Sequence, residues 1–397
     1  MLYWENPANL SPGTALIDLS GDWAPIRHYG ELLDQDPLKV YGDLLDDLRK
    51  ADYRITNLEA PLSGGKFIVK SGSTFHGEER HIAALRALPF DAVTLGNNHT
   101  FDCGVESFSR TASLLRENHI AFTGAGLDRK EAVTPIITTV KGVKLGIFNI
   151  SEGEDLMAAG PDRAGVSGWE IEETAGMIRQ MRNSLDVILV IVHCGLEYVP
   201  SPPPYVYKAF EQLVSAGADL VAGHHPHVPQ GMSILHGKAV YFSLGNFLFY
   251  QPTTLACRKL GYHLHIEINP EGVKSVKVLP YELKEEGLKK YDEENFSALF
   301  AELTKAVATE EKMNDSWNGF LKFYHVKGYQ AELERILEAI KQDPGKGCAM
   351  LRNRVMTLQH NNHWNDGLTR IVDGTIDDAS PEALALAEKF FLTEVKK

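Results

Sequence analysis

Leu220-Val221-Ala222-Gly223-His224-His225-Pro226-His227 is the stretch on which the fold turns. A short apolar run ends in a glycine and three histidines. Runs of this length bounded by turn residues suit a buried strand. In α/β sheets, functional groups gather beyond the carboxyl ends of strands. His225 and His227, held apart by one rigid proline, can present two imidazole nitrogens to one metal centre.

The same pattern recurs outward along the chain. The apolar run 187–192 is followed by His193, and the run 92–95 by Gly96-Asn97-Asn98-His99. The run 53–58 closes on Asn57-Leu58-Glu59, and the run 15–19 is followed by Gly21-Asp22. Taken singly, each residue has an ordinary explanation. Asp22 and Asn98 are turn formers, Glu59 is a solvated strand-end charge, and His193 is a hydrogen-bonded core histidine. Taken together, five strand ends aim oxygen and imidazole groups at one rim. Mixed O/N ligands suit Mn²⁺, Fe²⁺ or Zn²⁺, and there are enough candidates for one or two ions.

Between these runs the periodicity changes from two to helical. Leu44, Leu45, Leu48 and Ala51 share a face, as do Val105, Phe108, Ala112 and Leu115, and residues 205–216 read as a helix. Runs 143–150 and 239–244 are further strands, and 262–268 with 273–278 form a hairpin around 269–272. The alternation predicts an α/β or layered α/β/α core. After about residue 283 helical spacing dominates, with Phe296, Leu299, Phe300 and Leu303, then Leu333, Ile336, Leu337 and Ile340. Stretches 284–294 and 341–347 read as polar linkers. The expected division is 1–284 and a helical region 285–397.

Composition excludes some partners. With 397 residues and a formal net charge of -13, the chain has no global attraction for nucleic acid or an anionic membrane surface. An anionic substrate therefore needs a local positive site. No apolar run approaches membrane-spanning length. Residues 1–12 carry neither a basic n-region nor an apolar h-region. Cys103, Cys194, Cys257 and Cys348 are scattered without a C-x-x-C pair, which fits reduced thiols. The expectation is a cytoplasmic chain without membrane insertion. No GxxxxGK[ST] or G-x-S-x-G motif occurs.

The spaced set resembles a known family. Gly21-Asp22 with Arg27, Asn57-Leu58-Glu59, Asn97-Asn98-His99 with Asp102, His193-Cys194-Gly195-Leu196-Glu197-Tyr198, Gly223 to Gly231, and Ser243-Leu244-Gly245-Asn246-Phe247 are all present. The set is similar to the CapA-type bacterial capsule (poly-γ-glutamate) synthesis proteins, within the calcineurin-like metallophosphoesterases. The resemblance implies a four-layer α/β/β/α sandwich with a helical C-terminal region. It implies Asp22, Glu59, Asn98, His193, His225 and His227 as metal ligands, with Glu59 bridging two ions. By the same resemblance His99 would protonate the leaving oxygen, and Asp102 would either orient His99 or cap the helix near Gly104. Arg27 would clamp an anionic group. Glu197 would be an extra ligand, a base, or a contact to an amine.

Two departures accompany it. Ala24 stands where the wider superfamily's D-x-H has its histidine, and Glu59 replaces the usual bridging aspartate. One ion is therefore expected to be weakly held. The leading expectation is phosphoester hydrolysis by a metal-activated water on a small anionic or polymeric substrate. The alternatives are cleavage of amide or γ-glutamyl bonds, or a non-catalytic accessory role in capsule assembly. Lys70 and Arg258 read as solvated charges, and His360 and His363 as packing residues. Gly64-Gly65 and Ser71-Gly72-Ser73 read as a flexible loop over the site. The oligomeric state is not legible.

Overall fold

The computed structural model describes residues 2–8 and 10–395. Met1 and Lys397, the outer bounds of the two expected stretches, lie outside the described residues. Two large sheets pack face to face. Among the described residues, the first is nine-stranded and runs Tyr3–Glu5, Gly272–Lys284, Leu260–Asn269, Ala15–Trp23, Tyr53–Leu58, Ala92–Thr94, Ala121–Thr123. Asn246–Leu248 also pairs with Ala15–Trp23, and Gly287–Lys290 with Gly272–Lys284. The second is six-stranded, in the order Met232–Leu235, Lys238–Tyr241, Leu220–His224, Val187–His193, Val143–Ser151, Ile136–Val140.

The layering follows from side-chain alternation. In Val187–His193 every residue is buried, because both faces of this central parallel strand are covered. Val187, Leu189 and Ile191 meet Ile17, Leu19, Ile55 and Leu264 of the other sheet. Ile188, Val190 and Val192 instead meet helices Ile171–Met181 and Pro204–Ala216. On the far side of the first sheet, helices Arg27–Gln35 and Gly104–Glu117 supply Tyr29, Leu32, Phe108 and Leu115 to a second apolar layer. The result is the expected α/β/β/α sandwich. Six buried aliphatic side chains at about 1.5–3 kcal/mol each give this one strand on the order of 10 kcal/mol. That outweighs the roughly 1–3 kcal/mol of holding an incompletely bonded imidazole at its end.

Several strands run further than the sequence pattern. The first continues from residue 19 to Trp23, and the others extend to Ser151, His193 and His224. Polar residues end the apolar signal before backbone pairing ends. Gly21 shows why a small residue is needed there. A Cβ at that position would lie 2.1 Å from the carbonyl oxygen of Gly245, so the Gly21-Asp22 and Leu244-Gly245-Asn246 segments meet backbone to backbone.

The C-terminal helices are Glu293–Ala306, Glu310–Gln342, Pro344–Met356, Leu358–Asp373 and Pro381–Leu392. Phe296 and Phe300 of the first join the inter-sheet core. The second kinks at His325. Trp317, Phe320 and Leu321 pack on Leu196 and Val199, in the loop that follows His193. The two linker readings are corrected. Residues 284–294 contain a paired strand, and 341–347 are helical except near Asp343. Leu333 and Leu337 are exposed, and only Ile336 of that stripe is fully buried. No helix among the described residues is long and apolar enough to cross a membrane.

Candidate metal centre

Asp22, Glu59, Asn98, His193, His225 and His227 converge at the carboxyl ends of strands from both sheets. Glu59 is the hub. It is fully buried, and neither carboxylate oxygen has a hydrogen-bond partner. Its Oε1 lies 3.5 Å from His193 Nε2 and 3.6 Å from His227 Nε2. His193 Nε2 is 3.1 Å from Asn98 Oδ1. Atoms that each sit about 2.1 Å from a shared ion lie roughly 3.0–3.5 Å apart, so these spacings fit edges of a coordination shell. Two groups of three, Asp22–Glu59–His193 and Glu59–His225–His227, bring ligand atoms within 4.8 Å of one another, and Glu59 belongs to both.

The surroundings aim these atoms. Asn246 Oδ1 lies 2.9 Å from His227 Nδ1, and accepting that N–H leaves Nε2 free to ligate. His224 Nδ1 donates to Asp22 Oδ1 at 2.9 Å, and Asn57 Nδ2 donates to the same oxygen at 2.8 Å. Burial raises the Asp22 carboxyl, but the hydrogen bonds of His224 and His227 outweigh it and hold the group well below its usual range. Burial pushes Glu59 well above its ordinary value, and the neighbouring Asp22 and Glu197 charges add to this. Burial likewise lowers His193 and His225. A buried carboxylate without a donor costs several kcal/mol unless a cation meets it. Orphaned atoms on Glu59 (both carboxylate oxygens) and His225 (Nδ1) point the same way. The donor set therefore fits divalent metal.

Above this floor is a cavity of about 560 Å³. Arg27, His99 and Glu197 line it; Asp102 stands behind His99. His99 Nδ1 is 2.8 Å from Asp102 Oδ2 and 3.1 Å from Lys70 Nζ, and its ring stacks on Phe75. Asp102 makes no helix cap, since the helix from Gly104 has Cys103 before it and no side-chain cap bond. Burial, then the Lys70 charge, pull His99 down to about 4, so the ring is neutral at neutral pH. Arg27 donates to the Tyr250 carbonyl at 3.0 Å. Five non-glycine residues lining the cavity have positive φ: Arg27 (53°), Asp155 (57°), Tyr198 (69°), His225 (96°) and His227 (56°).

Sequence reasoning missed part of the site. Lys70, expected as a solvated charge, is 3% exposed and pairs with Asp102 at 2.7 Å. Arg258 stacks on Tyr198 at 3.5 Å. Glu154 Oε2 accepts from Asn98 Nδ2 at 2.9 Å, which turns the Asn98 oxygen toward His193. Glu154 Oε1 is held by Asn353 at 2.9 Å and His360 at 3.1 Å. Lys346 donates to the carbonyls of Lys70 and Gly72, and Asn353 to Ser71 Oγ. The loop at Ser71–Ser73 is thus tied down from the helical region. Glu154 follows a strand end like the other candidates, so the same rule would have found it. Nothing in the helical spacing marked Lys346 or Asn353.

The family described as bacterial capsule synthesis protein PGA_cap matches residues 17–251. The capsule biosynthesis protein CapA of Bacillus anthracis is 26% identical over 282 residues, covering 68% of this chain and 67% of that protein. The PGA biosynthesis protein CapA of Bacillus subtilis is 27% identical over 228 residues, covering 56% of this chain and 60% of its own length. Thus the chain spans about three fifths to two thirds of these relatives. A solved 5'-nucleotidase precursor from Thermus thermophilus aligns with 15% identity and a TM-score of 0.45, over 72% of this chain and 58% of that one; this likeness is too loose to transfer chemistry.

Proposed function

We propose, from the premise that the chain belongs to the bacterial capsule synthesis protein family PGA_cap, that it is a metal-dependent hydrolase of phosphoester bonds. The observation that carries this reading is Glu59, a fully buried carboxylate with both oxygens unpartnered, set among imidazoles of His193 and His227. Asp22, Glu59, Asn98, His193, His225 and His227 would hold the metal, with Glu59 shared if two ions bind. The mixed oxygen and nitrogen donors favour Mn²⁺, Fe²⁺ or Zn²⁺. Bound there, such ions supply a nucleophilic water at neutral pH and neutralise charge on the group attacked.

The chain's own residues do the rest. Arg27, at the cavity rim beside Phe249, would orient the anionic substrate through its guanidinium. Asp102 fixes the His99 ring by accepting at Nδ1, which leaves Nε2 as a proton acceptor; the ring would have to take up a proton there before passing one to the leaving oxygen. Phe75 stacks on one face of that ring and is itself packed edge-on by Phe249. The unit 1–284 would carry the ions, and the region 285–397 would roof the cavity and admit a small anion or the end of a polymer.

A second reading is favoured by one observation. Ala24 is fully buried against Ile26, Ala60 and Phe249, so one ion lacks an imidazole, as an accessory protein with a single structural ion would. The test uses the full chain, stripped with chelator and reloaded with Mn²⁺. It is offered an aryl phosphate, an aryl phosphodiester and a γ-glutamyl anilide. Phosphoester turnover that Glu59→Gln abolishes is the expected result. Turnover of the anilide alone would move the reading to amide cleavage, and ion binding without any turnover would favour the accessory role.

A further inference from the structure

Four residues before Asp22, the same strand carries a second buried carboxylate. Ile17 and Leu19 face the inter-sheet core, so Asp18 faces the helical layer. The neighbouring strand Leu260–Asn269 repeats this arrangement. Leu264 and Ile266 point into the inter-sheet core, so His263 and His265 share the other face. The antiparallel register sets His265 directly opposite Asp18. A His-x-His pair on one strand thus meets a carboxylate on the next.

The contacts are close. His263 Nδ1 lies 2.5 Å from Asp18 Oδ2, and His265 Nε2 lies 3.5 Å from the same oxygen. Ser20 Oγ donates to Asp18 Oδ1 at 2.7 Å. One ligand atom from each of the three residues falls within 4.8 Å of the others. Asp18 and His263 are fully buried, and Nε2 of both histidines has no hydrogen-bond partner. Among the described residues, no lysine or arginine pairs with Asp18. A carboxylate buried this deeply needs a compensating cation, and among the described residues its close polar partners are two imidazoles and the Ser20 hydroxyl. The side chain of His265 keeps 11% of its surface exposed, which gives an ion a way in.

We infer that Asp18, His263 and His265 bind a single Zn²⁺ ion, separate from the centre built on Glu59. Two imidazoles and one carboxylate suit this borderline cation, with water or Ser20 Oγ for the fourth position. Its effect is mechanical. It staples the hairpin strand Leu260–Asn269 to Ala15–Trp23, the strand that ends at Asp22. None of this depends on the hydrolase reading.

The experiment separates the two centres. A chain with Glu59→Gln and His227→Ala, which breaks both triads of the first centre, is stripped with chelator, loaded with Zn²⁺ and freed of excess by gel filtration. Mass spectrometry should count one zinc per chain, and X-ray absorption at the zinc edge should report two imidazole neighbours. Adding His263→Gln and His265→Gln should take the count to zero and remove the zinc-induced rise in Tm. If that fourfold variant does not fold, Asp18→Asn in the first background is read instead, with loss of zinc expected. A first chain that takes up no zinc overturns the assignment. So does zinc that stays bound when His263 and His265, or Asp18, are changed; the cluster would then be a buried imidazolium–carboxylate pair.

Discussion

His363 makes the helical roof acid-sensitive by a calculable amount. It sits 5% exposed among Trp317, Phe320, Tyr324 and Tyr329, and its Nε2 has no partner. Burial, and then the charges of His360 and Arg354, lower it to about 3. In the unfolded chain a histidine titrates near about 6.5. Between these two values the unfolded state binds the extra proton, so stability falls as pH drops below about 6.5. At about 1.36 kcal/mol per pH unit, the loss is about 2 kcal/mol at pH 5 and about 3 kcal/mol at pH 4. His363→Leu keeps the bulk of the side chain and removes the proton site. Its packing offset is the same at every pH and cancels in a double difference, as do the other buried histidines. Melting both chains at pH 7.5 and pH 5 should show the variant gaining about 2–3 °C on the parent at the lower pH if the chain melts as one unit. A Tm difference unchanged between the two pH values would refute the claim that this ring is buried and neutral.

Other outcomes follow from the site. Glu59→Gln should raise the Tm of the chelator-stripped chain, since it removes an unpartnered buried carboxylate, yet abolish uptake of Mn²⁺; scanning and titration calorimetry read the two effects. Glu154→Leu should weaken Mn²⁺ binding by roughly 10–100-fold, the usual cost of removing a partner that orients a ligand, and should speed proteolysis at Ser71–Ser73. Ala24→His alone should cost about 1–3 kcal/mol, because Phe249 fills the space beside Ala24 and His227. Combined with Phe249→Ala it should tighten Mn²⁺ binding relative to Phe249→Ala alone, and a weaker isotherm would mean the space does not face the ion.

The sandwich was legible because its central strands are apolar on both faces, and Val187 to Val192 leaves little else to be. The six proposed ligands were legible because each follows such a run. What sequence could not convey is which residues reach the site from elsewhere. Asn353 and His360 lie about 200 residues from Glu154, and nothing local marks them. Lys70 looked solvated because its segment is polar and glycine-rich; its burial comes from Asp102 and the Asn98 carbonyl, which pull the ammonium inward. His224 was passed over beside the H-x-H pair, although its position on the strand aims it at Asp22.

The five positive-φ residues around the cavity have an implication for anyone who tries to improve this protein. Each non-glycine residue held in that region stores about 1–3 kcal/mol, so the cavity wall is a reservoir of easily released energy. A screen rewarding heat resistance alone would enrich glycine or asparagine at Arg27 and Tyr198. Such hits would melt later while discarding the guanidinium at the rim and the ring on which Arg258 rests. Thermostability and competence are thus set against each other at named codons, and a selection that scores both should leave these positions untouched.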